Sequence, residues 1–171
     1  MNDIKIIDNF LDQKEFEKIQ TTLFGQNFAW YYRGQIDFKD ELTDKFQFFH
    51  YFYSETIPTS TSLDLLNPIF EKIKLISLWR VKANLLTRTP NIVENSFHVD
   101  MLGVSEKKTK QWTTSIFYMN TNNGYTKFED GTKVESIANR MITCPSNMKH
   151  TGTSCTDEKI RVVINFNYFE K

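Results

Sequence analysis

The sequence predicts an α+β fold on three observations. A length of 171 residues suits one domain, 40% hydrophobic residues with 15 Phe can fill a core, and helical periodicity comes first with strand-like alternation after it. Composition of this kind is far from that of a disordered chain.

Residues 4–7 read as a short strand. Asp12-Gln-Lys-Glu15 has the spacing of a capping box, and Phe16, Ile19 and Leu23 then fall on one face of the helix it would open. The aromatic run 46–53, which carries His50, reads as a buried strand, and Trp30-Tyr31-Tyr32-Arg33 is as compatible with core as with a substrate entrance. Between residues 63 and 76, Leu66, Ile69, Phe70 and Ile73 keep helical spacing, and Pro68 must start that helix or bend it. From Trp79 the texture changes to strand-like runs cut by Gly, Asn, Asp and Pro: 79–87, 97–101, 112–120, 125–129, 134–143 and 161–169. Residues 103–110 lack an apolar pattern and form the natural insert.

Lys plus Arg and Asp plus Glu number 21 each, so no overall field draws the chain to nucleic acid or to anionic lipid. No stretch approaches the roughly 20 apolar residues of a membrane span, and the start has no apolar segment behind a basic one, so the chain reads as soluble and cytoplasmic. Cys144 and Cys155 are too few for a disulfide framework and read as reduced thiols.

The chemistry lies in the second half. His98 and Asp100 are two residues apart, so on a strand both side chains leave the same face, and His150 can join them in a closed sheet. Two His and one carboxylate on one side of a metal, with open positions opposite, form the facial triad of non-haem iron(II) oxygenases. The H-x-D spacing alone is a weak signal; the last strand adds to it. Ile160, Val162, Ile164, Phe166 and Tyr168 make an apolar side suited to the helices, which leaves Arg161, Val163, Asn165 and Asn167 facing the sheet interior. A buried guanidinium calls for an anion, and its fork suits the carboxylate of a dicarboxylate cosubstrate. The competing reading is a solvated Arg at a strand start, which would move the anchor to Lys82, Arg80 or Arg88.

Taken together, His98-Val-Asp100, the distal His150-Thr-Gly152 and the later Arg161 resemble the Fe(II)/2-oxoglutarate-dependent oxygenases, in their prolyl 4-hydroxylase-like branch. Gly124-Tyr-Thr126-Lys-Phe128 is similar to that branch's G-x-T-x-F strand, Asn139-Arg-Met-Ile-Thr-Cys-Pro145 to the strand before its distal His, and Ile6-Ile-Asp-Asn-Phe-Leu-Asp12 to its opening strand and helix. The resemblance implies a double-stranded β-helix (jelly-roll, cupin-like) core over residues 79–171, with residues 1–78 as helical and strand support packed on one sheet. It implies Fe(II) held by His98, Asp100 and His150, with 2-oxoglutarate chelating it and pairing its distal carboxylate with Arg161. Asn84 becomes a further candidate for the cosubstrate, although Leu86 stands where a Tyr is usual. Dioxygen is the third reactant, succinate and carbon dioxide are released, and the insert 103–110 is a candidate lid. The basic residue is Arg where animal-type prolyl hydroxylases commonly carry Lys, and it stands one position further from the distal His. The substrate is therefore left open between a peptidyl proline and a small metabolite. Two other readings use the same triad: a zinc hydrolase, which needs a general base that the sequence does not offer, and a non-catalytic metal-binding β-helix module.

Overall fold

The computed structural model describes residues 4–36, 45–101 and 109–170. The chain opens with β1 (Lys5–Ile7) and α1 (Gln13–Phe24), followed by β2 (Tyr31–Arg33), β3 (Gln47–Ser54) and β4 (Ile57–Pro58). A 3-10 turn (Leu63–Leu66) runs into α2 (Asn67–Lys72), and the long β5 (Leu75–Thr87) follows. After it come β6 (Thr113–Tyr118), β7 (Tyr125–Phe128), β8 (Lys133–Glu135), β9 (Met141–Pro145), β10 (His150–Gly152) and β11 (Ile160–Glu170).

The main sheet has the order β1-β9-β6-β11-β5-β3-β2, with β4 on the side of β3, and a smaller sheet has the order β10-β7-β8. Every named pairing is antiparallel. The two sheets face each other as a double-stranded β-helix, with both helices on the outer face of the larger one.

That layering follows from alternation along β11. Val162, Ile164, Phe166 and Tyr168 lie in one apolar cluster with Phe16, Ile19 and Leu23 of α1 and Ile69 of α2. Val163 points the other way, into a second cluster between the sheets with Ile116, Tyr118, Phe128 and Ile142. Burying each of the three α1 side chains contributes about 1.5–3 kcal/mol. Packing holds this helix, because Asp12 caps it without a side-chain hydrogen bond and the expected capping box is not closed.

Three expected elements differ. The helix predicted over 63–76 is a 3-10 turn and a short α2 started by Pro68, and it ends at Ile73 because residues from Leu75 onward pair with the end of β11. The strand predicted over 134–143 is broken into β8 and β9 by Asn139, whose φ of 62° is the left-handed conformation that Asn tolerates. The side chain of Asn139 also fixes the chain start, accepting from the Leu11 N–H at 2.9 Å and donating to its carbonyl at 2.8 Å. No strand forms over 97–101, where a single bridge ties His98 to His150. Of the insert 103–110, only Thr109 and Lys110 are among the described residues, so its role as a lid lies outside them. No described helix is long and apolar enough to cross a membrane.

Candidate metal centre and its pocket

The bridge between His98 and His150 brings the site together. Each backbone donates its N–H to the other's carbonyl at 3.0 Å, and in such a directly opposed pair both side chains leave the same face. The two rings stand 5.1 Å apart. Asp100, two residues past His98, comes to the same side: its Oδ1 is 4.0 Å from His98 Nε2 and its Oδ2 is 4.0 Å from His150 Nε2. One ligand atom from each of the three lies within 4.8 Å of the others.

Each imidazole is oriented by its own backbone. Nδ1 of His98 meets the Ser96 carbonyl at 3.1 Å, and Nδ1 of His150 meets the Met148 carbonyl at 3.1 Å. A carbonyl only accepts, so Nδ1 is the donor in both contacts, and Nε2 is the nitrogen that each neutral ring would offer to a metal. In His150 that nitrogen is buried without a hydrogen-bond partner. Burial pushes the His150 pKa down, against the opposing pull of Asp100, which favours the neutral ring that a metal needs. Burial alone would push the Asp100 pKa up, but the Arg80 guanidinium, the two imidazoles and the Asn167 hydrogen bond together outweigh it and hold the carboxyl well below its ordinary range.

Arg80 and Asn167 form a clamp on that carboxylate. Arg80 lies 2.8 Å from Oδ1 and donates through Nε to Asn167 Oδ1 at 2.9 Å, while Asn167 Nδ2 donates to Asp100 Oδ2 at 3.0 Å and to Thr114 Oγ1 at 2.9 Å. The two residues are opposite one another on β5 and β11. From the sequence, strand parity marks Asn167 only as inward-facing, and Arg80 enters only as an alternative anion anchor. A signal was present in the alternation of Arg80, Lys82 and Asn84 with Val81, Ala83 and Leu85 along β5.

Arg161 lies on the same pocket wall and is 3% exposed. Its Nε donates to Ser136 Oγ at 2.7 Å, a terminal NH2 donates to Thr126 Oγ1 at 3.2 Å, and the guanidinium lies over the Tyr118 ring at 5.6 Å. These neighbours are neutral, so within the described residues the charge is desolvated without a carboxylate, and burial pulls its pKa down. Gly124 makes the room: a Cβ there would stand 2.7 Å from Arg161 Cδ and 2.7 Å from the Ser154 carbonyl oxygen.

The cavity between the sheets is about 420 Å³ and is lined by the triad, Arg161 and Asn84 together. Apolar side chains, among them Leu86, Ile116 and Val163, make much of its wall, which suits a site that must exclude water. His50 takes no part in it. It is packed against Phe28 and Phe52, with its two ring nitrogens at 2.8 Å from the Ala29 carbonyl and the Ser60 hydroxyl.

No family model matches the chain, and no curated protein matches it. Solved structures do match along nearly its whole length. A prolyl hydroxylase from Trichoplax adhaerens, in complex with a hypoxia inducible factor oxygen degradation domain peptide fragment, superposes with a TM-score of 0.70 at 13% identity, over 99% of this chain and 84% of that one. The viral collagen prolyl hydroxylase from Paramecium Bursaria Chlorella virus-1, in its 2-oxoglutarate complex, gives 0.60 at 14% identity over 99% and 97%. An oxidoreductase of the 2-oxoglutarate-Fe(II) oxygenase family from Burkholderia pseudomallei gives 0.68 at 8% identity over 98% and 85%. At these identities the likeness is one of fold, and the fold is the double-stranded β-helix that those enzymes use.

Proposed function

We propose that this chain is an Fe(II)- and 2-oxoglutarate-dependent dioxygenase that hydroxylates a peptide or small-molecule substrate, with release of succinate and carbon dioxide. The observation that carries this reading is the buried Nε2 of His150, without a partner, turned by the Met148 carbonyl toward the same space as Asp100 and His98. An orphaned nitrogen of this kind costs stability unless something accepts its lone pair, and two imidazoles with one carboxylate are the donor set that suits iron(II). His98, Asp100 and His150 would hold the ion. When bound, iron supplies the activation of dioxygen coupled to oxidative decarboxylation of 2-oxoglutarate.

The chain's own residues do the rest. Arg161 pairs with the distal carboxylate of 2-oxoglutarate, with the Thr126 hydroxyl beside it and Asn84 on the neighbouring strand of the same sheet, so the cosubstrate is set in one orientation before the reaction begins. Arg80 and Asn167 keep Asp100 ionised and aimed. Leu86, Ile116 and Val163 keep water from the reacting groups.

A zinc hydrolase is less well supported, since among the described residues Asp100 is the sole acid lining the cavity and no carboxylate is left to act as general base. A non-catalytic module would have no use for a buried Arg161 in the same cavity. The two buried free thiols, Cys144 and Cys155, suit a reducing compartment, and we place the protein in the cytoplasm.

Anaerobic addition of Fe(II) and then 2-oxoglutarate tests the proposal. The expected result is a weak visible charge-transfer band that needs both additions and that Zn(II) does not reproduce. Absence of the band, with no 2-oxoglutarate bound at equilibrium, overturns it.

A further inference from the structure

Among the described residues, five cationic side chains line the cavity, Arg33, Arg80, Lys82, Lys149 and Arg161, against the single carboxylate of Asp100. The whole chain is neutral, so this imbalance is local. Three of the five have anions assigned: Arg80 holds Asp100 at 2.8 Å, Lys149 holds Glu129 at 3.0 Å, and Arg161 faces the cosubstrate in the function proposed above. Arg33 and Lys82 have no carboxylate partner among the described residues.

Lys82 is the more telling of the two. It is 8% exposed, and its ammonium stands over the rings of Phe49 and Tyr51 at 5.4 and 5.6 Å. Burial, then repulsion from Arg80 and Arg33, pulls its pKa down to about 7, with Asp100 opposing them. The fold therefore keeps cations close enough to oppose one another's charge, which does nothing for stability. Strand order explains why they share the space. Arg33 is opposite Gln47 across β2 and β3, and Lys82 is flanked by Tyr51 on β3 and Asn165 on β11, with all of these except Tyr51 lining the cavity. Asn165 is itself buried, and its amide oxygen has no hydrogen-bond partner. It is an acceptor that a hydrogen-bond donor on the body of a ligand, not its anionic group, would satisfy.

We propose that Arg33 and Lys82 form a second anion subsite, separate from the Arg161 end, which selects a small organic carboxylate as the substrate to be hydroxylated. The carboxylate sits between the guanidinium of Arg33 and the ammonium of Lys82, with the body of the molecule in the cavity that both residues line. A carboxylate fits better than a phosphate ester. The described residues around the subsite are strands whose backbone N–H groups serve the sheet, with no helix N-terminus or backbone nest of the kind phosphates use. Calling the ligand a substrate rests on the oxygenase reading; the anion subsite itself does not.

The test uses phenylacetate and its uncharged isostere phenylacetamide, titrated calorimetrically into the full chain in the presence of saturating 2-oxoglutarate, so that the Arg161 end is filled. Phenylacetate is expected to bind at least about tenfold more tightly than phenylacetamide, and Lys82→Met and Arg33→Met are each expected to remove most of that preference. Lys82→Met is also expected to raise the thermal midpoint, because it removes a desolvated charge that stability does not need. Equal binding of the two probes by the unaltered chain overturns the proposal, and so does a preference that survives both substitutions. A fall in the midpoint of Lys82→Met would show a structural cation and overturn it too. If the two variants lose 2-oxoglutarate affinity as strongly as they lose phenylacetate, Arg33 and Lys82 serve the cosubstrate and the second subsite is wrong. The oxygenase reading fails differently, by an unaltered chain that binds no 2-oxoglutarate, and the comparison of the two probes is judged in either case.

Discussion

Around Arg161 each polar neighbour comes from a paired strand or from the residue just after one, namely Tyr118 on β6, Thr126 on β7 and Ser136 behind β8. The arm that carries His98 and Asp100 is irregular and is tied down by two isolated bridges, Glu94 to Thr153 and His98 to His150, and the side chain of His98 is 37% exposed where that of His150 is 4%. The Arg161 end is thus built by the fold itself. The triad end has one wall of the same quality, at His150, and an arm whose geometry depends on the Arg80 and Asn167 clamp. Rigid support is placed where a buried charge must be held, and the looser arm stands on the open side of the site.

The largest effect that tests this contrast is loss of a ligand from the looser arm. His98→Ala is expected to abolish tight Fe(II) binding and 2-oxoglutarate turnover with the fold intact, since the side chain is part-exposed and its removal frees no buried charge. Asp100→Ala should lose iron equally, with a lower thermal midpoint because Arg80 is left without its anion. Succinate formation at the unaltered rate in either variant would refute the triad.

Next in size is the anchor at the rigid end. Arg161→Ala is expected to weaken 2-oxoglutarate binding by about 2–4 kcal/mol, and Arg161→Lys to recover part of it, because one ammonium cannot reproduce a bidentate pair. The Fe(II) constant, measured beside it, should hardly move. An unaltered 2-oxoglutarate constant in Arg161→Ala would mean that the anchor lies on β5 instead.

The clamp comes third. Asn167→Ala leaves all three ligands in place and is expected to lower Fe(II) affinity by about 10- to 100-fold, the range for groups that orient a metal ligand. An Fe(II) constant that stays put would show that Asp100 is positioned by Arg80 alone.

The smallest effect is dynamic and compares the two ends directly. On adding metal, hydrogen exchange of backbone amides in residues 96–101 is expected to slow, while that of residues 161–168 on β11 stays as it was. Equal slowing in both segments would break the distinction between a prebuilt end and an end finished by its ion.

Much of the site was legible because strand parity is a local property. Alternation along the last strand separated Arg161 and Val163 from Ile160 and Val162 without any tertiary information, and it put Asn167 on the inner face. The two-residue spacing of His98 and Asp100 likewise implied a shared side, although the backbone there is a bridge and not a strand, and the bridge preserved the outcome. Other features depended on partners distant in the chain. The helix predicted past Ile73 yielded to β11, ninety-odd residues later, because pairing with a long buried strand outweighs helical spacing in a short apolar run.

What the sequence determined by itself was therefore the α+β order, the two faces of the last strand, and the three residues able to ligate a metal together with an inward cation. These follow from side-chain chemistry and from periods of two and 3.6 residues. Only the tertiary structure decided that Arg80 and Asn167 grip Asp100, that Gly124 clears space for Arg161, and that Arg33 and Lys82 share one cavity. Each of those facts is a distance across strands that the chain brings together from far apart, and neither composition nor spacing encodes such a distance.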